Sequence, residues 1–459
     1  MSGILTIILL TIFQFIAGFG LINLFNIQGK PGLLIPLSIL SGVAVFSIMP
    51  FVLQLAYIPL TATNVFLSII VACVLLNIKF RSGIARFREL MAGTRFKIKI
   101  YEIPFVALMV FIVFVSAWRC FYFPPTPRDL TSGAEVIAEY AIREKTMINS
   151  VFNVNDDLNN NVFKPPFITC LQIIYKYAGF VFGQIWLSTI VACFIIFLYH
   201  ALTLTVHRIF AGLLVLFFMA IPEMFAYTFM VLFDYSNTVF FFLSIWFLYL
   251  FFQNQQRNYL AFAGLLMAIA TYIRSETLIL ACLMVPGIMW YHWRNKSGIV
   301  KGLLSSAWFV APPVLSYLIT VSIYLNKYLP VKYSIQGQVN NNLGDLSPLF
   351  NRFSDINSKL IFGDMGVGYY GYFIYFFLLL LLLELVIKRE LAPATRNWLY
   401  AVLVIYLGLP ILSYILPLLD LNNSTKRGLF KIFPLMLLYM ANNSVLVSWS
   451  QRIMKWEAK

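Results

Sequence analysis

The stretch KFRSGIARFRELMAGTRFKIKIY (residues 79–101) runs directly into EIPFVALMVFIVFVSAWRCFY (residues 102–122), and this junction decides the class of the chain. The first part carries Lys79, Arg81, Arg86, Arg88, Arg95, Lys97 and Lys99, opposed only by Glu89 and by Glu102 at the junction. The second part is apolar apart from Arg119 near its end. About 17 to 25 apolar residues cross a bilayer as a helix, and basic loops stay on the cytoplasmic side. The pair therefore predicts a cytoplasmic loop that enters the membrane.

The rest of the 459 residues has the same character: 61% are hydrophobic and only 11% charged. A soluble globular chain would carry about a quarter charged residues, so an ordinary soluble protein is excluded. Apolar runs between charged breaks predict an all-α polytopic protein of about thirteen helices. They fall near 3–25, 33–56, 61–78, 102–122, 185–206, 209–229, 237–253, 258–273, 277–293, 303–326, 371–387, 397–418 and 429–449.

Alternation from the 79–102 anchor places Lys30, Arg208, Arg257, Arg294, Lys296, Lys301, Lys388, Arg389, Arg396, Arg452, Lys455 and Lys459 in the cytoplasm. The N-terminus is then outside and the C-terminus inside. The net charge of +15 follows from this asymmetry, and nucleic acid is not expected as a partner. Met1 to Leu10 contain no Lys or Arg, so the first helix reads as a retained span and not as a secretory leader. Cys73, Cys120, Cys170, Cys193 and Cys282 are scattered through apolar segments and read as small core residues.

Polar chemistry is confined to outer loops, chiefly 123–184 and 326–370. Prolines at 124, 125 and 127 end the preceding helix in an extended segment holding Arg128 and Asp129. Ser132 with Glu135 has the spacing of a capping box. It would open an amphipathic helix to about Ser150, lying on the membrane surface. A second amphipathic segment, Phe167 to Phe180, follows Lys164-Pro165-Pro166, which sets Lys164 at a helix N-terminus. That position suits an anion such as phosphate, and equally a lysine at the head-group boundary.

Glu223 and Asp234 flank a short turn. Arg274-Ser275-Glu276 has almost no loop around it, so its charges either face a wet cavity or pair locally to close a hairpin. Lys426, Arg427 and Lys431 lie against the positive-inside bias, which favours a specific anion. Asp156-Asp157 in an Asn-rich loop is set aside as a metal site, so no metal is expected. His200, His207 and His292 lie toward the cytoplasmic side or inside helices.

The order of Arg128-Asp129, Lys164-Pro165-Pro166, the acidic turn and Thr271-Tyr272-Ile273-Arg274-Ser275-Glu276 resembles that of GT-C fold membrane glycosyltransferases. It is most similar to the protein mannosyltransferase and aminoarabinose transferase branch, over residues 102–450. The resemblance implies a membrane catalytic domain in 102–459, preceded in 1–101 by three helices and the basic loop. It implies a donor sugar on polyprenyl phosphate, no cofactor, and an acceptor lipid, glycan or protein at the periplasmic face of a bacterial inner membrane.

By position, the resemblance makes Asp129 the catalytic base or the residue orienting the acceptor. Lys164 and Arg274, with Arg427 or Lys431, would neutralise the departing phosphate. Arg128, Glu223, Asp234 and Glu276 would hold the acceptor or fix those cations. Two alternatives remain: a polysaccharide ligase or polymerase, and a transporter or flippase for lipid-linked glycans. The first would put its main basic loop late, and Asn326–Tyr370 has only a small cation excess. The second commonly shows paired halves or broken helices near the midplane; the sequence shows neither, and its polar residues cluster at one face.

Overall fold

The structure is a computed structural model that describes residues 3–92, 98–126, 130–153, 164–328, 344–415 and 421–457. Among these residues every regular element is helical. In hydrocarbon a helix satisfies its own backbone donors and acceptors, whereas an open strand cannot. Six helices are long and apolar enough to cross a bilayer: Gly3–Leu24, Pro31–Leu55, Ile100–Tyr122, Phe233–Asn254, Ile299–Lys327 and Pro393–Ile415.

Three further pairs pass that test only as bent units, so the described residues contain helix breaks that the hydropathy pattern does not show. Ala62–Leu76 meets Arg81–Ala92 at 88°, Asp364–Tyr370 meets Phe373–Lys388 at 98°, and Lys426–Asn442 meets Ser444–Glu457 at 56°. The described residues thus hold six to nine candidate spans, not thirteen. Hydropathy counts apolar residues but is blind to backbone continuity. Pro222 restarts the chain beyond Arg208–Met219, and the run expected over 277–293 divides into Thr277–Leu283 and Val285–Arg294. Trp186–Leu202, Arg208–Met219 and Arg257–Ile273 are apolar but short.

The first two helices cross backbone to backbone. A Cβ on Gly18 would overlap the Ser38 carbonyl, and one on Gly42 would overlap that of Gln14. Small residues permit this approach, and packing rather than water drives helix association in lipid. Gly42→Ala is expected to cost about 1–3 kcal/mol as an overpacking substitution. Thermal unfolding in detergent would show it as a lowered midpoint. Gly368→Ala, where a Cβ meets nothing within 4 Å, serves as the neutral control.

Pro31–Leu55 also packs against Phe167–Tyr177 and Trp186–Leu202. Polar links tie other helices to these segments: Gln14 Nε2 of Gly3–Leu24 donates to the Tyr175 hydroxyl at 2.9 Å, and the Tyr272 hydroxyl of Arg257–Ile273 donates to the Ser47 carbonyl at 2.9 Å. The first outer segment forms two helices, Val136–Glu144 and Phe167–Tyr177. Phe167 through Tyr175 are all buried, so the second helix is enclosed by protein and does not lie on the membrane surface.

The expected capping box does not form. Ser132 and Gly133 have non-helical backbone, and Glu135 turns instead to Lys176 at 2.6 Å and to Gln172 Nε2 at 2.7 Å. Lys176 also pairs with Glu139. One buried ammonium therefore ties the two helices together.

The break in the last bent pair has an internal cause. Asn443 leaves helical geometry, and its Oδ1 accepts from Val445 N at 3.0 Å, starting the next helix. Glu384 on Phe373–Lys388 is fully buried and takes the remaining donors. These are the Tyr439 hydroxyl at 2.7 Å, Asn443 Nδ2 at 3.0 Å and Ser444 N at 3.1 Å.

Candidate functional site

Charged side chains gather at two opposite ends of the helical bundle, and Arg208–Met219 runs from one to the other. At its first residue, Arg208 Nη1 donates to Glu102 at 3.0 Å, and Glu102 also accepts from the Tyr199 hydroxyl at 2.6 Å. Near the same end, Glu457 pairs with Lys99 and with His207 at 3.0 Å. These groups pair among themselves, as expected for charges that fix helix ends.

The other end is built differently. The Arg257–Ile273 helix stops where Arg274 turns to extended backbone, its N–H still held by the Ala270 carbonyl at 2.9 Å. The turn aims the guanidinium back over the start of Phe233–Asn254, where Arg274 Nη1 bonds Asp234 Oδ1. Arg274 Nε contacts Glu276 Oε1 as an ion pair without hydrogen-bond geometry. The local pair and the long-range partner therefore coexist. Asp234 uses its second oxygen on Arg427 Nη1, at 3.5 Å.

Arg274 and Asp234 are both nearly inaccessible, with side chains 6% and 2% exposed. A buried charge is tolerated only when paired, and a carboxylate shared by two guanidinium groups meets that condition.

Lys431 is the exception. It lies on the turn Leu429–Lys431 ahead of Phe433–Asn442 and is only 3% exposed. Among the described residues it has no hydrogen bond and no ion-pair partner within 4.0 Å. Its charged neighbours by Coulombic reach are Arg274, Glu276 and Lys164. Lys164, ahead of the Phe167–Tyr177 helix, holds its ammonium 5.9 Å from the centre of the Phe233 ring. Burial alone would push the Glu276 carboxyl up, but Arg274, then Lys164 and Lys431, hold it well below the usual carboxylate range. Glu276 thus stays anionic and partly offsets three crowded cations.

Glu223, in the first turn of Pro222–Ala226, is bound by Lys426 Nζ at 2.6 Å. Lys426 also stacks 3.8 Å from the Tyr369 ring centre, and its carbonyl accepts from the Tyr370 hydroxyl at 2.9 Å. An apolar cavity of about 210 Å³ adjoins this region. Leu429, Ile432, Phe433 and Met436, from the segment that bears Lys431, line it together with Tyr406 and Phe377.

The fold thus gathers Lys164, Asp234, Arg274, Glu276, Arg427 and Lys431, with Glu223 joined through Lys426. Arg128 and Asp129 lie outside the described residues, as do Asp156 and Asp157. Lys426 and the aromatic residues Tyr369, Tyr370 and Phe233 were not assigned roles from sequence. Lys426 carries a usable signal, a cation that runs against the expected positive-inside bias, whereas nothing in the pattern marks the aromatics. Among the described residues, no three His, Cys, Asp or Glu side chains come close enough to hold a metal ion.

The site sets five basic side chains against three carboxylates, with Arg274, Asp234 and Lys431 largely shielded from water. No family model, curated protein or solved structure matches the chain.

Proposed function

We propose that this membrane protein is a glycosyltransferase of the GT-C type, which moves a sugar from a polyprenyl-phosphate donor to an acceptor at the periplasmic face of a bacterial inner membrane. The observation that carries the reading is Lys431: a buried lysine side chain with no hydrogen-bond or ion-pair partner among the described residues, beside Arg274 and Lys164. An ammonium buried without a counter-ion is costly, so this side chain suits a site where a ligand supplies the anion. A phosphate fits three cations that converge from separate helices, and the apolar cavity along the Lys431 segment suits an isoprenoid tail.

The chemistry follows from that placement. The acceptor hydroxyl oxygen attacks the anomeric carbon, and the bond from that carbon to the phosphate oxygen breaks. The phosphate leaves with the electron pair, its growing charge met by Lys431, Lys164 and Arg274. Preorganised cations in a site of low water content are effective there. Asp129 takes the acceptor's proton, or only orients the acceptor if that group is itself a phosphate. Asp234 and Glu276 hold Arg274 in place, Arg427 shares Asp234 with it, and Glu223 holds Lys426.

The test compares lipid-linked sugars and glycosylated products in cells carrying the wild type, no copy, or Asp129→Asn at equal expression. The expected result is that Asp129→Asn matches the null, with one polyprenyl-phosphate sugar accumulating and one glycan missing. A wild-type profile from Asp129→Asn would remove Asp129 from the mechanism.

A further inference from the structure

The bundle end opposite the candidate site carries a helix that the transfer reaction does not use. Phe80–Ala92 follows Ala62–Leu76 at a right angle, so when that helix stands in the bilayer, Phe80–Ala92 lies along its surface. At 100° per residue its side chains fall on three faces. Gly83 and Leu90 are buried against the protein. Ile84, Phe87 and Met91 form one stripe and remain 36%, 38% and 52% exposed. Arg81 and Arg88, both exposed, run beside that stripe.

The contacts fix which way the apolar stripe points. Ser82 and Arg86 meet Asn23 at the end of Gly3–Leu24, at 3.3 and 3.5 Å. Phe87 reaches Phe19 and Phe15 at 6.1 and 6.0 Å, one and two turns further into the bundle. The apolar stripe is therefore on the bilayer side and the cations lie at head-group level.

Between this helix and the turn after Gly3–Leu24 lies an open polar crevice of about 630 Å³, lined by Asn23, Gln28, Ser82, Arg86 and Glu89 among others. Arg86 Nη2 is buried there and has no hydrogen-bond partner among the described residues. Guanidinium groups take phosphate oxygens in a planar fork.

We propose that Phe80–Ala92 is a docking surface for anionic phospholipid head groups. Arg86 takes the phosphate in the crevice, Arg81 and Arg88 supply flanking charge, and Ile84, Phe87 and Met91 lie among the acyl chains. Helices with an apolar stripe edged by basic residues bind bilayers in this way. The surface is independent of the transferase reading.

The test uses the full chain, reconstituted in vesicles of phosphatidylcholine with an equal part of phosphatidylglycerol. It is then extracted, and the phosphatidylglycerol retained per protein is counted by native mass spectrometry. Arg81→Gln/Arg86→Gln/Arg88→Gln is expected to reduce the apparent affinity for phosphatidylglycerol at least about tenfold. The charge-matched control Lys388→Gln/Arg389→Gln/Arg396→Gln should leave it unchanged.

Equal losses in both triples, or no loss in the first, would overturn the proposal. If the first triple does not fold in phosphatidylcholine alone, Arg81→Gln/Arg88→Gln, which changes only exposed side chains, is judged by the same two outcomes. Its expected loss is smaller but selective.

Discussion

Arg274→Lys is expected to lower transfer by about 10²–10³-fold, a loss comparable to removing one preorganised donor from a site of developing charge. Lysine keeps the positive charge but not the fork. Arg274 contacts Asp234 through Nη1 and Glu276 through Nε, and a lysine replaces these two separated nitrogens with one shorter-reaching point charge that lacks the planar fork. Arg274→Ala should go further. Asp234 would keep only Arg427, at 3.5 Å, and breaking a buried ion pair costs about 3–5 kcal/mol because the remaining charge is stranded.

Two measurements separate the roles of Arg274. Turnover of a lipid-phosphate sugar by protein in vesicles reads the chemistry, and the unfolding midpoint in detergent reads the fold. Near-wild-type turnover in folded Arg274→Lys would mean that Arg274 is only a structural link between helices and that Lys431 acts without it.

The second large effect concerns folding. Glu384→Leu removes one acceptor group and leaves the Tyr439 hydroxyl, Asn443 Nδ2 and Ser444 N deprived of it in a fully buried place. Asn443 Nδ2 still reaches the Leu380 carbonyl at 3.0 Å, so the burden falls on the other two. At about 1–3 kcal/mol for each buried group left unsatisfied, the expected loss is about 2–6 kcal/mol. For a membrane protein this is enough to empty the monodisperse peak in size-exclusion chromatography. Glu384→Gln keeps one oxygen acceptor and should cost far less. If Gln and Leu behave alike, the carboxylate does not organise the break at Asn443.

The sequence made the positions of the charges legible, because a charge at the end of an apolar run must be neutralised, hydrated or functional. Lys164, Asp234, Arg274, Glu276 and Lys431 stood out for that reason, and they share one end of the fold. What one sequence could not show was who pairs with whom. Lys426 binds Glu223 from 203 residues away in the chain, and Glu135 leaves its expected cap for Lys176. Both choices depend on tertiary distance, and no local spacing encodes them.

Only six to nine of the thirteen expected spans are found among the described residues, for a related reason. Apolar content continues through Pro222, the join at Met284 and Asn443, while the helices stop or bend there. Glu384 was invisible as a structural centre because its partners come from another helix.

The short helices have a consequence for the lipid itself. Arg208–Met219 has 12 residues, about 18 Å of helix, against a hydrocarbon layer about 30 Å thick. Leu213, midway along it, is half exposed, so this side of the protein meets acyl chains. A surface too short for the bilayer draws the two leaflets toward each other. The membrane beside this helix should therefore be dimpled. Phosphate groups that stand well above the cations elsewhere would descend toward their level there, shortening the climb for a lipid-linked donor of the kind proposed above.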